Sequence, residues 1–469
     1  MALKFHNTLS GKIEEFKPLR DKEVGMYNCG PTVYDYAHIG NMRAYVFADI
    51  LKRVLGWNGY AVHQVMNITD VGHTVADADL GEDKIEKSAK EKQKTAKEIG
   101  DFYTKAFFEN LAHLHVDTFR TIFPKATEHI PEQIALIDEL TKRGFAYKTS
   151  DGIYFNTKLF PEYGKLGNIN LAGLQEGERV EKNTEKKNPT DFALWKFSKP
   201  EEKRQQEWES RWGTGFPGWH VECSAMSMRY LGATFDIHTG GIDHIPVHHN
   251  NEIAQSEAST SQKYVHYWLH NNFLTVNGRK MSKSDGTFYT LHDLEQKNIH
   301  PLSFRYFLLG AHYSTPLNFT FEAIEGAQST YEKILREVTE QRRKRAGHGN
   351  LIPEYMEKFT EHVNNDLDTP QGLATLHGLL EDKLYSLADK LETLLEFDKV
   401  LGLNLESNSK KMADIPQEIL ELHEDREVAR MNKDFALSDK LRGEIESKGY
   451  VIRDFTKGGI IERKLSSLI

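Results

Sequence analysis

Residues 23–69, EVGMYNCGPTVYDYAHIGNMRAYVFADILKRVLGWNGYAVHQVMNIT, carry the clearest pattern of secondary structure in the sequence. Its first part, EVGMYNC (23–29), predicts a strand, and residues 41–57 have the apolar periodicity of a helix. The segment GYAVHQVMNIT (59–69) predicts a second strand. A strand, a helix and a strand in this order form a βαβ unit, whose strands lie parallel in one sheet. The sequence therefore predicts an α/β fold built on a parallel sheet.

The composition is that of a globular protein. The chain has 469 residues, of which 39 % are hydrophobic and 28 % charged, and its formal net charge is −9. Its only cysteines, Cys29 and Cys223, are too few for a disulfide scaffold. The sequence has no apolar run of about 18 residues, and its start, MALKFHNTLS, lacks the pattern of a secretory signal. We therefore expect a cytoplasmic protein that does not enter a membrane. The net negative charge argues mildly against extensive nucleic-acid binding, but it is compatible with a local basic surface.

Changes in sequence texture predict several segments. Short strands and turns rich in Gly, Asn and Lys between 117 and 215 predict a domain inserted into a first domain, which comprises 1–116 and 216–300. Residues 301–404 are mostly helical, and 417–469 predict a helix or helix pair followed by a hairpin. Five leucines within 380–394 recur at spacings of three and four residues, which predicts one packed helix. They are Leu380, Leu384, Leu387, Leu391 and Leu394. Polar breaks are expected at 341–353 and 404–416.

Two short motifs predict a nucleotide site. The first is His38-Ile39-Gly40-Asn41, where the first strand meets its helix. A glycine at a helix start lets backbone N–H groups approach a phosphate, and the helix dipole favours the anion. The second is Lys280-Met281-Ser282-Lys283-Ser284, whose lysines can neutralise a triphosphate. Either motif alone is a weak signal, because such a loop is most often a solvated turn. The order of the two and the βαβ setting of the first make the pair specific.

These motifs resemble the two signatures of class I aminoacyl-tRNA synthetases. Further segments are similar to cysteinyl-tRNA synthetases in particular, and the match covers nearly the full chain. The segments are CGPTVYDYAHIGN (29–41), NITD (67–70), PTDFALWK (189–196), PGWHVECSAM (217–226), HHNNEIAQSE (248–257) and KDFALSDKLRGEIESKGYVIRD (433–454). The chain departs from the family at Asn41, where His is common, at Thr239, where many members carry Gly, and at Asp285, where an apolar residue is common.

The resemblance implies the architecture and the reaction. It implies a Rossmann-like catalytic domain in two halves, a connective domain at 117–215, a helical bundle at 301–404 and a small anticodon-binding-like unit at 417–469. The implied enzyme is a cysteine–tRNA ligase that uses ATP with Mg²⁺ to convert L-cysteine to cysteinyl-adenylate. The cysteinyl group then passes to the terminal ribose of tRNA(Cys), and a monomer is expected. His38, Asn41, Lys280 and Lys283 are the implied catalytic residues, and His38, Gly40, Asn41 and Lys283 are also expected to bind ATP.

Four residues are candidate zinc ligands. Cys29 ends the first strand, Cys223 lies in a candidate helix, and His248 and Glu252 share a helix face because they are four residues apart. Two thiolates, an imidazole and a carboxylate can bind zinc tetrahedrally. The sequence alone favours two buried cysteines and a surface His–Glu pair, because the spacing of the cysteines matches no known zinc-finger pattern. The resemblance implies instead one zinc ion per chain, held by these four residues.

A zinc ion in an amino-acid pocket would select a thiol. The metal lowers the pKa of a bound thiol, whereas the hydroxyl of serine is a harder and far less acidic ligand. The resemblance places Thr69 and Trp219 in the cysteine pocket, although a strand-end hydroxyl and a core aromatic are equally ordinary roles. On a helix, His249 would point about 100° away from His248, so we do not include it among the ligands.

The motif HTGGID, residues 238–243, contributes two further ATP candidates. Glycine at Gly240 allows a base or ribose close to the backbone, and Asp243 can accept hydrogen bonds from ribose hydroxyls. A plain glycine turn is the alternative. The basic run QRRKRA (341–346) is either a solvated helix face or a phosphate contact.

Two other functions stay open. One is a cysteine-activating ligase that uses a small amine as acceptor, and the unit at 417–469 argues against it. The other is an inactive paralogue that binds RNA, and the intact lysines and metal candidates argue against that.

Overall fold

The computed structural model describes residues 1–72, 83–169, 184–199, 204–282, 286–345, 347–455 and 458–468. The strands are β1 (Lys4–Asn7), β2 (Lys12–Glu15), β3 (Glu23–Asn28), β4 (Ala61–Met66), β5 (Ala146–Lys148), β6 (Gly152–Phe155), β7 (Phe192–Phe197), β8 (Gly215–Pro217), β9 (Phe235–Gly241), β10 (Val265–Asn271), β11 (Leu274–Val276), β12 (Leu317–Phe319), β13 (Tyr450–Phe455) and β14 (Gly458–Arg463). The helices are α1 (Ile39–Trp57), α2 (Lys84–Lys92), α3 (Ala96–His113), α4 (Ile130–Lys142), α5 (Trp219–Leu231), α6 (Asn250–Thr260), α7 (Leu291–Gln296), α8 (Pro301–Leu309), α9 (Phe321–Lys344), α10 (Pro353–Asn364), α11 (Thr369–Glu381), α12 (Leu387–Leu401), α13 (Leu405–Ala413), α14 (Gln417–Met431) and α15 (Phe435–Ser447).

A parallel sheet with the strand order β10-β9-β3-β4 forms the centre of the fold. Strands β3 and β4 pair in parallel on either side of α1 in the chain, which confirms the predicted βαβ unit. Strand β9 pairs in parallel with both β3 and β10. The chain continues from β3 to β4 on one side and from β9 to β10 on the other. The carboxyl ends of β3 and β9 therefore border a topological switch point, where open α/β sheets form a ligand-binding crevice.

Helix α1 is anchored on this sheet by its apolar face. Met42, Val46, Ile50 and Val54 recur every four residues and are all buried. Burial of each such side chain contributes about 1.5–3 kcal/mol. The helix ends at Trp57 because the chain turns at Gly59, which has a φ of +82°, a value that glycine adopts without a steric penalty.

A second sheet lies in the stretch interpreted as an insertion. It is antiparallel, with the order β5-β6-β7-β8, and it encloses a separate apolar cluster around Trp195 and Phe155. Helix α4 covers this cluster with Ile137 and Leu140. This separate core explains why the composition changes in this stretch. The limits of the insertion, 117 and 215, stay predictions.

Two predictions for the helical region are wrong. The leucine stripe does not lie on one helix, because α11 ends at Glu381 and α12 begins at Leu387. Ser386 caps the second helix by accepting a hydrogen bond from the Asp389 N–H, and Leu384 between the helices is 88 % exposed. The predicted polar break at 404–416 contains α13, a short helix rich in polar and charged side chains, so its composition resembles that of a loop.

The C-terminal unit has the predicted form. Helices α14 and α15 precede an antiparallel hairpin of β13 and β14, and residues 456–457 of its turn lie outside the described ranges. The basic run before it stabilises helix packing. Arg342 donates to Ser409 Oγ at 3.1 Å, Arg343 donates to the Met412 carbonyl at 3.1 Å, and Arg345 pairs with a carboxylate on α12.

None of the helices in the described ranges combines the length and the apolar character that a bilayer span requires.

Candidate active site and metal centre

Four structural elements surround the crevice at the switch point. Cys29 follows β3 directly, and its N–H donates to the Thr239 carbonyl of β9 at 3.2 Å. Cys223 lies on α5, and Glu252 lies in the first turn of α6. His248 lies in a π-helical turn, Ile245–His249, that leads into α6. The parallel sheet thus brings together cysteines that are far apart in the sequence.

The four predicted ligands form one cluster. One donor atom from each of Cys29, Cys223, His248 and Glu252 lies within 4.8 Å of the other three. Nε2 of His248 is 3.0 Å from Oε1 of Glu252, as expected for residues four apart on one face. The side chains of Cys223, His248 and Glu252 are buried, and Cys29 is half-buried. The structure therefore assembles the donor set that the resemblance implied.

The geometry fits a metal ion. A tetrahedral zinc ion with bonds of about 2.0–2.3 Å keeps its ligand atoms about 3.3–3.8 Å apart, so small side-chain rotations suffice here. Oε1 of Glu252 is fully buried, and Nε2 of His248 lies 3.0 Å from it. A carboxylate charge buried in this way is costly unless positive charge offsets it, and a bound cation would do so. Thiolate, imidazole and carboxylate ligands together suit zinc.

Neighbouring side chains orient these ligands. Nδ1 of His248 lies 2.8 Å from Nδ1 of His220, which leaves Nε2 facing the cluster. Oε2 of Glu252 is 3.0 Å from Nε2 of His238 and accepts a hydrogen bond from the Tyr264 hydroxyl at 3.2 Å. Such outer contacts fix the tautomer and the orientation of metal-binding side chains.

The cluster has strongly perturbed pKa values. A hydrogen bond from the thiol of Cys29 lowers the pKa of Cys223 to about 7 despite burial, and the same bond together with burial raises the pKa of Cys29. Burial alone would lower the pKa of His248, but Cys223 and Glu252 raise it to about 10. Negative charge is thus concentrated on Cys223 and Glu252, which favours cation binding.

His249 faces the same cluster, contrary to the prediction that it would point away. Its Nε2 lies 3.3 Å from Sγ of Cys29 and 3.9 Å from Oε1 of Glu252. The ring is completely buried, and its Nδ1 lies 2.7 Å from Nε2 of His270. His248 and His249 lie in a π-helical turn, so the α-helical step of about 100° assumed in the prediction does not apply, and both rings reach the cluster.

The first nucleotide motif forms a helix cap. Nδ1 of His38 accepts a hydrogen bond from the Asn41 N–H at 3.1 Å, and Oδ1 of Asn41 accepts one from the His38 N–H at 3.1 Å. Nδ1 of His38 is thus an acceptor, so the proton of the neutral ring is on Nε2. Burial lowers the pKa of His38, which favours this neutral form. The Ile39 N–H donates to the Tyr289 carbonyl, while no described residue accepts from the Gly40 N–H.

The lysine loop packs against this cap. A Cβ atom added at Gly40 would lie 2.3 Å from Cε of Met281, so the methionine occupies the space that the glycine leaves. Thr287 joins the two sides of the loop, since its Oγ1 accepts from the Ser282 N–H at 2.9 Å and donates to the Lys280 carbonyl at 3.2 Å. The side chain of Lys280 is exposed, and Lys283 lies outside the described residues.

Gly240 and Asp243 lie between the metal cluster and the cap. A Cβ atom at Gly240 would lie 2.6 Å from Cε1 of His249, so this glycine is required by the packing of the histidines. Asp243 folds back over Gly241, and its charge acts on both His38 and Cys29. The carboxylate is therefore within electrostatic range of both predicted subsites.

Trp219 and Thr69 occupy different positions relative to the cluster. The ring centroid of Trp219 lies 4.5 Å from that of His248, so this half-buried indole contacts a candidate ligand. Thr69 is buried, and its Oγ1 accepts a hydrogen bond from Asn67, which in turn accepts one from the Gly30 N–H. Thr69 therefore supports the loop that follows Cys29.

Sequence reasoning missed His220, Tyr264 and His270. It excluded His249 as a ligand and quoted His238 only as part of the motif HTGGID, whereas both side chains belong to the site. A compositional signal was present, because four of the 21 histidines fall within residues 238–249. A buried imidazole needs hydrogen-bond partners for its ring nitrogens. Several buried histidines close together in the sequence therefore indicate a polar site in which they can supply these partners.

Comparisons with known proteins agree with this geometry. Residues 15–329 match the family model described as tRNA synthetases class I (C) catalytic domain. The chain is 44 % identical to the cysteine–tRNA ligase of Treponema denticola, and the alignment covers 97 % of this chain and 98 % of that protein. It is 45 % identical to cysteine–tRNA ligase 1 of Burkholderia lata, with 98 % and 96 % covered.

Among solved structures, the fold is similar to methionyl-tRNA synthetase of Mycobacterium tuberculosis bound by methionyl-adenylate. The TM-score is 0.55 at 13 % identity, covering 83 % of this chain and 92 % of that chain. At this identity the likeness concerns the fold alone.

Proposed function

Because the chain belongs to the class I cysteine–tRNA ligase family, we propose that it activates L-cysteine with ATP and transfers it to tRNA(Cys). The observation that carries this proposal is the cluster of Cys29, Cys223, His248 and Glu252 in the same crevice as the His38–Asn41 cap. A thiol-selecting metal set next to a phosphate-binding helix start is what cysteine activation requires.

The first step is attack by the cysteine carboxylate on the α-phosphate of ATP, with pyrophosphate leaving in line. The Gly40 N–H and Nε2–H of His38 supply donors at the start of α1, where the helix dipole favours an anion. Because Oδ1 of Asn41 is engaged in the cap, its amide N–H groups face outward as further donors. No enzyme nucleophile is needed, and catalysis consists of positioning and electrostatic stabilisation.

Other residues complete the ATP site in this proposal. Lys280 and Lys283 neutralise the departing pyrophosphate, with Mg²⁺ bound to the ATP phosphates. Asp243 accepts hydrogen bonds from the ribose hydroxyls, and Gly240 keeps the neighbouring backbone accessible. Thr287 supports this arrangement because it holds the two sides of the lysine loop together.

The amino-acid pocket holds one zinc ion through Cys29, Cys223, His248 and Glu252. When bound, the metal offers the substrate thiol a soft Lewis-acidic partner and favours its thiolate. Trp219 packs against His248 and limits the movement of that ligand. Thr69 supports the loop after Cys29 from the other side.

In the second step, a ribose hydroxyl at the end of tRNA attacks the carbonyl of cysteinyl-adenylate, and AMP leaves. The helical region 301–404 and the unit 417–469 bind the tRNA. The tip between α14 and α15 supports this role, since Phe435 is 64 % exposed and the exposed Lys433 precedes it by two residues. An exposed aromatic ring with neighbouring cations suits an unpaired base. We propose a cytoplasmic monomer.

Aminoacylation of a mixed tRNA pool tests the proposal. Protein of known zinc content is supplied with labelled cysteine, with serine in parallel. Charging with cysteine and not with serine is expected. Cysteine-dependent pyrophosphate exchange without charging would contradict the tRNA acceptor, whereas no exchange at saturating substrates would contradict the activation step.

A further inference from the structure

Two overlapping ligand sets lie in the metal cluster. Besides the set described above, one donor atom from each of Cys29, His238, His249 and Glu252 lies within 4.8 Å of the others. The two sets share Cys29 and Glu252 and differ in the remaining pair. The second pair consists of His238 and His249, both completely buried.

The distances within the second set match a coordination sphere. Sγ of Cys29 is 3.3 Å from Nε2 of His249, and Oε2 of Glu252 is 3.0 Å from Nε2 of His238. Nε2 of His249 is 3.9 Å from Oε1 of Glu252. These separations are close to the roughly 3.3–3.8 Å between ligand atoms of tetrahedral zinc. Oε1 of Glu252 therefore lies near both His248 and His249, while Oε2 lies near His238.

Both additional histidines have their second ring nitrogen engaged. Nδ1 of His249 lies 2.7 Å from Nε2 of His270, and Nδ1 of His270 lies 2.8 Å from Oγ1 of Thr8. Nδ1 of His238 lies 3.3 Å from the Thr239 carbonyl. In each ring Nε2 is therefore directed to the cluster. This outer support is typical of metal-binding histidines, and His248 receives the same support from His220.

We propose that the pocket can hold one divalent ion through either set, so that His238 and His249 form an alternative ligand pair to Cys223 and His248. The proposal rests on the metal site of the proposed function. One ion at a time is favoured because two ions would have to share both Cys29 and Glu252. The consequence is that the ion can exchange protein ligands without leaving the pocket.

Cobalt binding to full-length variants tests this. The intensity of the sulfur-to-cobalt charge-transfer band increases with the number of coordinating thiolates, so it reports which set is used. Wild type should bind one Co²⁺ with two thiolates. Cys223→Ser should still bind one Co²⁺, at least about 10-fold more weakly and with about half the band intensity. His249→Asn alone should resemble wild type, whereas Cys223→Ser/His249→Asn should bind no Co²⁺.

A second pair of variants guards against misfolding of Cys223→Ser. His248→Asn should retain one Co²⁺, and His248→Asn/His249→Asn should lose it, with circular dichroism confirming that each variant is folded. Loss of binding in folded Cys223→Ser and His248→Asn, as complete as in Cys29→Ser, would overturn the alternative set and leave the first set intact. Wild-type affinity and intensity in Cys223→Ser would instead contradict the first set. Two Co²⁺ ions per wild-type chain would overturn binding of one ion at a time.

Discussion

Gly40 and Met281 are in direct contact across the active-site crevice. A single methyl group on Gly40 would lie 2.3 Å from Cε of Met281 and 3.0 Å from the ring of His38. The glycine of the first nucleotide motif therefore serves a second purpose beyond access to phosphate, because it receives the methionine of the lysine loop.

Gly40→Ala should displace both neighbours of this contact. Because positional errors of about 1 Å can reduce rates by about 10²-fold, we expect kcat of cysteine-dependent pyrophosphate exchange to fall by a factor of this order. Adding Met281→Ala removes one of the two clashes, so partial recovery in the double variant would assign the loss to loop position. If kcat does not recover in the double variant, the loss is assigned to displacement of the His38 ring.

Asn41→Asp should separate capping from phosphate binding. The carboxylate can still accept from the His38 N–H, so thermal stability should be unchanged or slightly higher. The outward amide donors are replaced by negative charge, and kcat of pyrophosphate exchange should fall by about 10²-fold. Asn41→Ala is the comparison, since it removes the cap as well. Unchanged exchange in Asn41→Asp would contradict a phosphate contact.

Metal removal should reduce the selectivity for cysteine over serine and leave the fold largely intact. After chelation, discrimination between cysteine and serine should fall towards the roughly 10–200-fold that a pocket achieves for one small group. Added Zn²⁺ should restore it. Full selectivity in protein verified to be metal-free would show that the cluster does not select the thiol.

Arg305→Met should strongly destabilise the protein. Nη2 of Arg305 lies 2.5 Å from Oδ2 of Asp49, and this completely buried pair joins α8 to α1. Asp49 keeps a second partner, Arg53 at 2.8 Å, but the variant also removes the donor of two buried carbonyls, Leu114 and Leu401. We therefore expect a loss of about 3 kcal/mol in the free energy of unfolding. Urea denaturation measures the change. Glu406→Gln is a suitable control, because its pair with Lys410 is exposed and should contribute less than about 1 kcal/mol.

His300 should make stability pH-dependent. Burial lowers its pKa to about 4, and Nδ1 accepts the Leu302 N–H at the start of α8. The unfolded chain, with a histidine pKa of about 6.5, binds the proton more readily. Stability should therefore fall as the pH decreases from about 6.5 to about 4, by up to about 3 kcal/mol. His300→Asn can still accept from Leu302 and should remove this part of the pH dependence of urea denaturation.

The local elements and the type of site could be predicted from the sequence. Two strand-like segments in 23–69 predicted β3 and β4, the helical periodicity of 41–57 predicted α1, and turn residues predicted the C-terminal hairpin. Residue chemistry and family resemblance together identified the four candidate zinc ligands. Periodicity failed for the leucine stripe, because Ser386 begins a new helix within a pattern that remains regular in the sequence.

Contacts between residues that are distant in the sequence could be found only in the folded structure. Strand order places Cys29 beside β9, and α5 and α6 then bring Cys223 and Glu252 to it. The inclusion of His249 depends on a π-helical turn that the sequence did not predict, and the Gly40–Met281 contact depends on loop packing. Sequence patterns report the conformation of neighbouring residues, whereas the approach of these groups results from sheet topology and side-chain packing over long sequence separations.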